Sequence, residues 1–112
     1  MESTRQKKIS RLLQKEMAEL LRIKGQEIAK GKMITVTIVR VSPDLGIARI
    51  YLSIFPSGAS EEVLESIEGL SKRLRMELGQ KVRNQLRVIP ELAFYLDDSL
   101  DYIDNIDNLL TP

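Results

Sequence analysis

The chain has 112 residues, 43% hydrophobic and 29% charged, with a net charge of only +1. That is the size and balance of one ordinary folded domain around a single core, which excludes a disordered chain. No apolar run approaches the roughly 20 residues a membrane span needs, and the polar start Met1-Glu2-Ser3-Thr4-Arg5 lacks the apolar stretch of a secretory signal. No membrane partner and a cytoplasmic location are therefore expected. With no cysteine and no histidine there is no disulfide, no thiolate or imidazole metal ligand, and no Ser-His or Cys-His nucleophile pair. No cofactor is expected, and carboxylate chemistry is the main catalytic route left open.

In chain order, Ser3 and Gln6 have the spacing of a reciprocal helix cap, and Ile9, Leu12, Leu13, Met17, Leu20 and Leu21 recur at helical period, predicting a helix over about 4–24 with Gly25 as its stop. Opposite that stripe, Lys8, Arg11, Lys15 and Arg22 fall in a narrow angular band, with Arg5 and Lys7 in the first turn. A hinge-like segment, Lys24 to Lys32, leads to the β-branched run Met33 to Val41, a strand. Ser42-Pro43-Asp44-Leu45-Gly46 is a turn in which Gly46 is free to take positive φ, and Ile47 to Phe55 alternates as the second strand of a hairpin. Ala48, Ile50, Leu52 and Ile54 are its inward set, and Arg49, Tyr51 and Ser53 its outward set.

Ser60-Glu61-Glu62 opens a helical region reaching about residue 86, with acids suited to the helix dipole. Unbroken it would be about 40 Å long, too long for a domain of this size. A bend is expected at Gly69, Leu70, Ser71 and Lys72, because Gly and Ser are weak helix formers. Pro90 ends the region, and Leu92 to Leu96 is a third strand with Leu92, Phe94 and Leu96 inward. The fold class is thus α+β, in the order α-β-β-α-α-β, with a three-stranded sheet covered on one face by helices.

All 17 basic residues lie within residues 1–90, while residues 91–112 hold six acids and no base. The expected division is a basic RNA-binding domain, 1–98, and an acidic C-terminal tail, 99–112. Lys72, Arg73, Arg75, Lys81, Arg83 and Arg87 bring positive charge back where the chain doubles upon itself. Lys and Arg in such clusters gain affinity by displacing the counterions of nucleic-acid phosphates; on an ordinary protein they would form a solvated face. Aromatic residues are few, and Phe55, Phe94 and the three tyrosines are scattered along the chain. Backbone charge and shape, more than base stacking, are then the expected basis of recognition. Asp97, Asp98, Asp101, Asp104 and Asp107 lack the glycine and spacing of a calcium loop, so no metal site is expected. Leu100, Ile103, Ile106, Leu109 and Leu110 have helix-like spacing that would let the tail dock on a basic face or meet a basic partner. Two other readings compete: a protein-interaction module, and a nuclease using the tail carboxylates with magnesium.

The chain resembles the ribosome-binding factor A family over essentially its whole length. The residues that carry the resemblance are Arg5-Gln6-Lys7-Lys8-Ile9-Ser10-Arg11, Val39-Arg40-Val41-Ser42-Pro43-Asp44-Leu45, Ala48-Arg49-Ile50-Tyr51-Leu52-Ser53, Leu74-Arg75 with Leu78-Gly79, and Leu86 to Ser99, with its Pro90-Glu91-Leu92-Ala93-Phe94 core. The resemblance implies a KH-like fold and a monomer that binds the immature small (30S) ribosomal subunit and its 16S rRNA near the decoding region, without catalysing a reaction. It also implies a role in late maturation and 5′-end processing of that RNA, especially in the cold, with nearby ribosomal proteins and assembly GTPases as further partners. The family replaces the KH Gly-x-x-Gly loop by an Ala-x-Gly kink. Here the register set by Leu78-Gly79 puts Leu70-Ser71-Lys72 at that kink, with Gly69 one residue early.

Overall fold

The computed structural model describes residues 3–29, 31–56 and 58–97; the acids and apolar residues of the tail beyond Asp97 lie outside them. Helix α1 spans Thr4–Ala29, strands β1 and β2 span Met33–Val41 and Ile47–Phe55, helices α2 and α3 span Ser60–Gly69 and Ser71–Val82, and strand β3 spans Glu91–Leu96. The sheet order is β1-β2-β3, with β1 antiparallel and β3 parallel to β2. This is the α-β-β-α-α-β order read from the sequence, with a mixed sheet. A parallel β2–β3 pair requires a crossover, and α2 and α3 supply it while covering the sheet.

The core lies between the sheet and the three helices. Leu13, Met17 and Leu21 of α1, Ile67 of α2, and Leu74, Leu78 and Val82 of α3 are buried against Val36, Val39, Ile50, Leu52 and Phe94 of the sheet. The inward set expected for β2 is buried throughout. In β1 the pairing slips between Val36 and Ile38, so that Val36 pairs with Leu52 but Ile38 with Tyr51. This β-bulge at Thr37 lets Val36 and Val39, three residues apart, both face inward, and it turns Ile38 outward, 42% exposed.

Three expectations are corrected. Helix α1 does not stop at Gly25; it runs to Ala29, and Gly31, at φ 89°, is the residue that takes the left-handed conformation beyond its end. Gly25 is buried instead, and a Cβ there would lie 3.1 Å from Ile34 Cδ1, so its role is to let α1 approach β1. The second helical region ends at Val82, not near 86: Gln85 and Leu86 both donate their N–H groups to the Val82 carbonyl, and the chain turns there. In the hairpin turn it is Leu45, not Gly46, that takes positive φ, at 61°. The break between α2 and α3 falls at Leu70, whose φ of −100° and ψ of 6° interrupt the helix between Gly69 and Ser71.

Candidate nucleic-acid interface

Two local structures set the geometry of the basic residues. At the start of α1, Ser3 N donates to Gln6 Oε1 at 2.8 Å and Gln6 N donates to Ser3 Oγ at 3.1 Å, the reciprocal cap expected from the spacing. The Gln6 amide also donates to the Val41 carbonyl at 2.9 Å, fixing the first turn of α1 to the end of β1. Arg5 and Lys8 are thereby held beside the hairpin turn.

The second structure is the 83–90 segment between α3 and β3. Leu86 and Pro90 are buried, and Glu91 N donates to the Gly46 carbonyl at 2.9 Å. Arg75 holds the segment from the helix side: its Nη2 donates to the Ile89 carbonyl at 2.7 Å and its Nε to the Pro90 carbonyl at 3.1 Å. A Cβ on Gly79 would lie 3.2 Å from Ile89 Cγ1, so glycine there allows α3 and the segment to sit in contact. Arg87 and Val88 are left outside, at the crest.

The result is a groove in two stretches that share Arg87 and Val88. One is lined by Lys72, Arg75, Met76, Gly79 and Ile89 of the α3 side, the other by Arg5, Lys8 and Ile9 of α1 with the Pro43–Gly46 turn and Gln85. The fold therefore brings five of the sequence-predicted basic residues, Arg5, Lys8, Lys72, Arg75 and Arg87, to one channel. Lys7, Arg11, Lys15, Arg22, Arg73, Lys81 and Arg83 are exposed but line neither stretch. Arg22 is engaged with Glu19 at 2.6 Å; that bond and the opposite charge hold the Glu19 carboxyl below its usual range and raise the Arg22 guanidinium. Lys81 Nζ lies 3.8 Å from Glu16 Oε2, a long pair between α3 and α1, and Lys24 pairs more closely with Glu77 at 2.8 Å.

One acid, Asp44, lines this basic channel. Its carboxylate serves the turn: it accepts from Ser42 Oγ at 2.6 Å and from Gly46 N at 3.0 Å, and these bonds lower its pKa from the ordinary value. Met76 and Val88, 58% and 68% exposed, put apolar surface between the cations. The channel thus offers diffuse positive charge over a partly apolar floor, suited to a polyanion with apolar faces. Among the described residues no group of three or more acids is placed to hold a metal ion, and no helix is long and apolar enough to cross a membrane.

The sequence reading missed a pair of aromatics. Tyr51 on β2 and Tyr95 on β3 are opposite in the parallel register and stack with ring centroids 5.3 Å apart on the sheet face away from the helices. The outward phase of Tyr51 was visible in the β2 alternation, but its partner is 44 residues away and only the β2–β3 register joins them.

Fold and channel together define a small α+β domain of KH-like element order that carries a basic groove on its helical side. The family model for ribosome-binding factor A matches residues 5–110. Among relatives, ribosome-binding factor A of Flavobacterium psychrophilum is 48% identical, covering 98% of this chain and 85% of that protein, and the one from Cytophaga hutchinsonii is 42% identical, covering 99% and 84%. The chain belongs to the ribosome-binding factor A family. Its fold is similar to the crystal structure of the Thermus thermophilus factor, with a TM-score of 0.70 at 23% identity, over 81% of this chain and 94% of that one. It is also similar to a homology model of the Thermus thermophilus factor fitted into the cryo-EM map of its complex with the 30S subunit, with a TM-score of 0.64 at 25% identity, over 78% and 89% of the two chains.

Proposed function

We propose that this protein is an assembly factor that binds the immature small (30S) ribosomal subunit through its 16S rRNA, and that the channel around Arg87 is its main phosphate-binding surface. The observation that carries the reading is the convergence of Arg5, Lys8, Lys72, Arg75 and Arg87 from α1, α3 and the 83–90 segment on one groove. Family membership and the 30S complex fitted for the Thermus thermophilus relative support the choice of partner. The protein acts by binding and remodelling without catalysing a reaction, in the cytoplasm. Its binding supports late maturation of the subunit and processing of the 16S rRNA 5′ end, with greatest effect in the cold.

Within the channel Arg87, Lys8, Arg5 and Lys72 meet phosphates, and Arg75 keeps the segment in place. The outer-ridge residues Lys7, Arg11, Lys15 and Arg22, and Arg73, Lys81 and Arg83, add long-range attraction that salt screens. The acidic segment 99–112 reduces nonspecific RNA binding by the basic domain 1–98.

Co-sedimentation with small subunits at two salt concentrations tests the reading. The double variant Lys8→Glu, Arg87→Glu is expected to lose small-subunit binding at the higher salt and to show a shallower salt dependence, since each lost phosphate contact lowers the slope by about one. Unchanged binding by a folded double variant removes the channel from the site.

A further inference from the structure

We propose that the open face of the sheet is the seat of the chain's own C-terminal segment: residues 98–112 fold back from the end of β3 and cover that face with their apolar side chains. The contact is within the chain and is tested without RNA, so its failure is distinguishable from failure of the RNA-binding reading above.

The three helices cover one face of the sheet, and among the described residues the other is open. Register partners share a face, so Met33 with Phe55, Ile38 with Tyr51 and Tyr95, and Ile47 with Glu91 all point to the open side. Five of the eight large apolar residues that the described chain exposes are there: Met33, Ile38, Ile47, Phe55 and Tyr95, with Met33 at 67% and Phe55 at 70%. A folded domain seldom leaves so much apolar surface together in water.

The route of the chain selects the occupant. Strand β3 is an edge strand parallel to β2, and its last residue, Leu96, pairs with Leu52. Asp97 is still held on the sheet, its N donating to the Leu52 carbonyl at 2.7 Å. Its carboxylate accepts from Thr37 Oγ1 at 2.6 Å, which takes the side chain over β2 toward β1 on the open face. The 15 residues that follow therefore start at the rim of the apolar surface. In a helical winding Leu100, Ile103, Ile106, Leu109 and Leu110 take one half of the circumference, and Asp98, Asp101, Asp104 and Asp107 the other. Such a helix is about 22 Å long, against about 30 Å for a nine-residue strand, so it spans most of the face.

Competing occupants fit less well. A tethered segment acts at an effective concentration on the order of millimolar, which a second copy of the chain in dilute solution does not match. RNA phosphates would meet Glu91 and Asp97, and Glu91, diagonal to Arg49 across β2 and β3, offsets its charge. The apolar residues, not ion pairs, hold the segment. With its acids turned outward, the seated segment makes the sheet side of the domain repel RNA and leaves the channel as the side that binds.

The chain has no cysteine, so a nitroxide on Asn108→Cys, on the polar half of the segment, is the sole label. In the full chain it is expected to broaden the amide signals of Ile38, Tyr51, Phe55 and Tyr95 far more than those of Arg5, Lys8 and Arg87 in the channel. Adding Ile103→Asp and Ile106→Asp is expected to restore those signals and to raise binding of an apolar dye several-fold, because the face is uncovered. Should that variant fail to fold, Phe55→Ser breaks the contact from the sheet side and is expected to reduce the same broadening. Broadening strongest at the channel, or none at all, overturns the proposal, as does broadening of the sheet face that survives these substitutions. Broadening seen only when nitroxide-labelled and isotope-labelled chains are mixed marks a second copy as the occupant and overturns it as well.

Discussion

The outer ridge of α1 and the loop-facing side of α3 carry the same residue types to different ends. Arg22 projects to solvent and shares its charge with Glu19 one turn away, an interaction any isolated helix could make. Arg75 is also exposed, yet its guanidinium spans two carbonyls of a segment 14 and 15 residues further on and so decides where Arg87 stands. Equal charge in the sequence therefore does not mean equal function. The ridge contributes field, and the α3 side contributes geometry.

The comparison is broken most strongly at Gly79. Gly79→Val places methyl groups where Ile89 packs, and overpacking of this kind costs about 1–3 kcal/mol. A lowered midpoint in urea is expected together with lost small-subunit binding, because the segment that presents Arg87 is displaced. Next in size is Arg75→Ala, which leaves the Ile89 and Pro90 carbonyls without their donor. At this exposed position the cost is about 1 kcal/mol. Arg22→Ala is expected to leave the urea midpoint where it was, and equal effects of the two substitutions would erase the distinction between ridge and anchor. The smallest effect concerns the hairpin turn. The Asp44 carboxyl has a lowered pKa in the folded state, so its contribution is complete above the ordinary carboxyl pKa of 3.8 and is lost as pH falls through the lower folded value. Asp44→Asn should flatten the acid limb of a stability–pH curve by removing that contribution, a small loss at neutral pH and none at low pH, which acid titration followed by circular dichroism would show.

Much of the fold was legible because one face of each element is apolar. The alternation of Ala48, Ile50, Leu52 and Ile54, and the helical spacing from Ile9 to Leu21, each specify an element and a face. What was not legible depended on contacts across the fold. Gly25 looks like a helix stop until Ile34 is seen against it, and then it is a place of close approach. By residue type Gly46 is the position free to take positive φ, but the bonds from Gly46 N and Ile47 N to Ser42 Oγ set the backbone so that Leu45 takes the left-handed conformation. The basic clusters were visible as charge. Which members share a channel was not, because Arg5 and Arg87 are brought together by the path of the 83–90 segment. The Tyr51–Tyr95 pair was hidden for the same reason, since no local pattern encodes a parallel register.

Gln6 and Gln14, both on α1, have a bearing on association. Gln6 donates to the Val41 carbonyl and Gln14 to those of Val36 and Thr37, at 3.4 and 3.2 Å for the latter two. These carbonyls belong to β1, an edge strand whose row of unpaired backbone groups would otherwise template pairing with another chain. Side-chain amides from the helix occupy part of that template, and the bulge at Thr37 breaks its regularity. The edge of β1 is thereby a poorer template for a second copy of the chain than a regular edge strand would be.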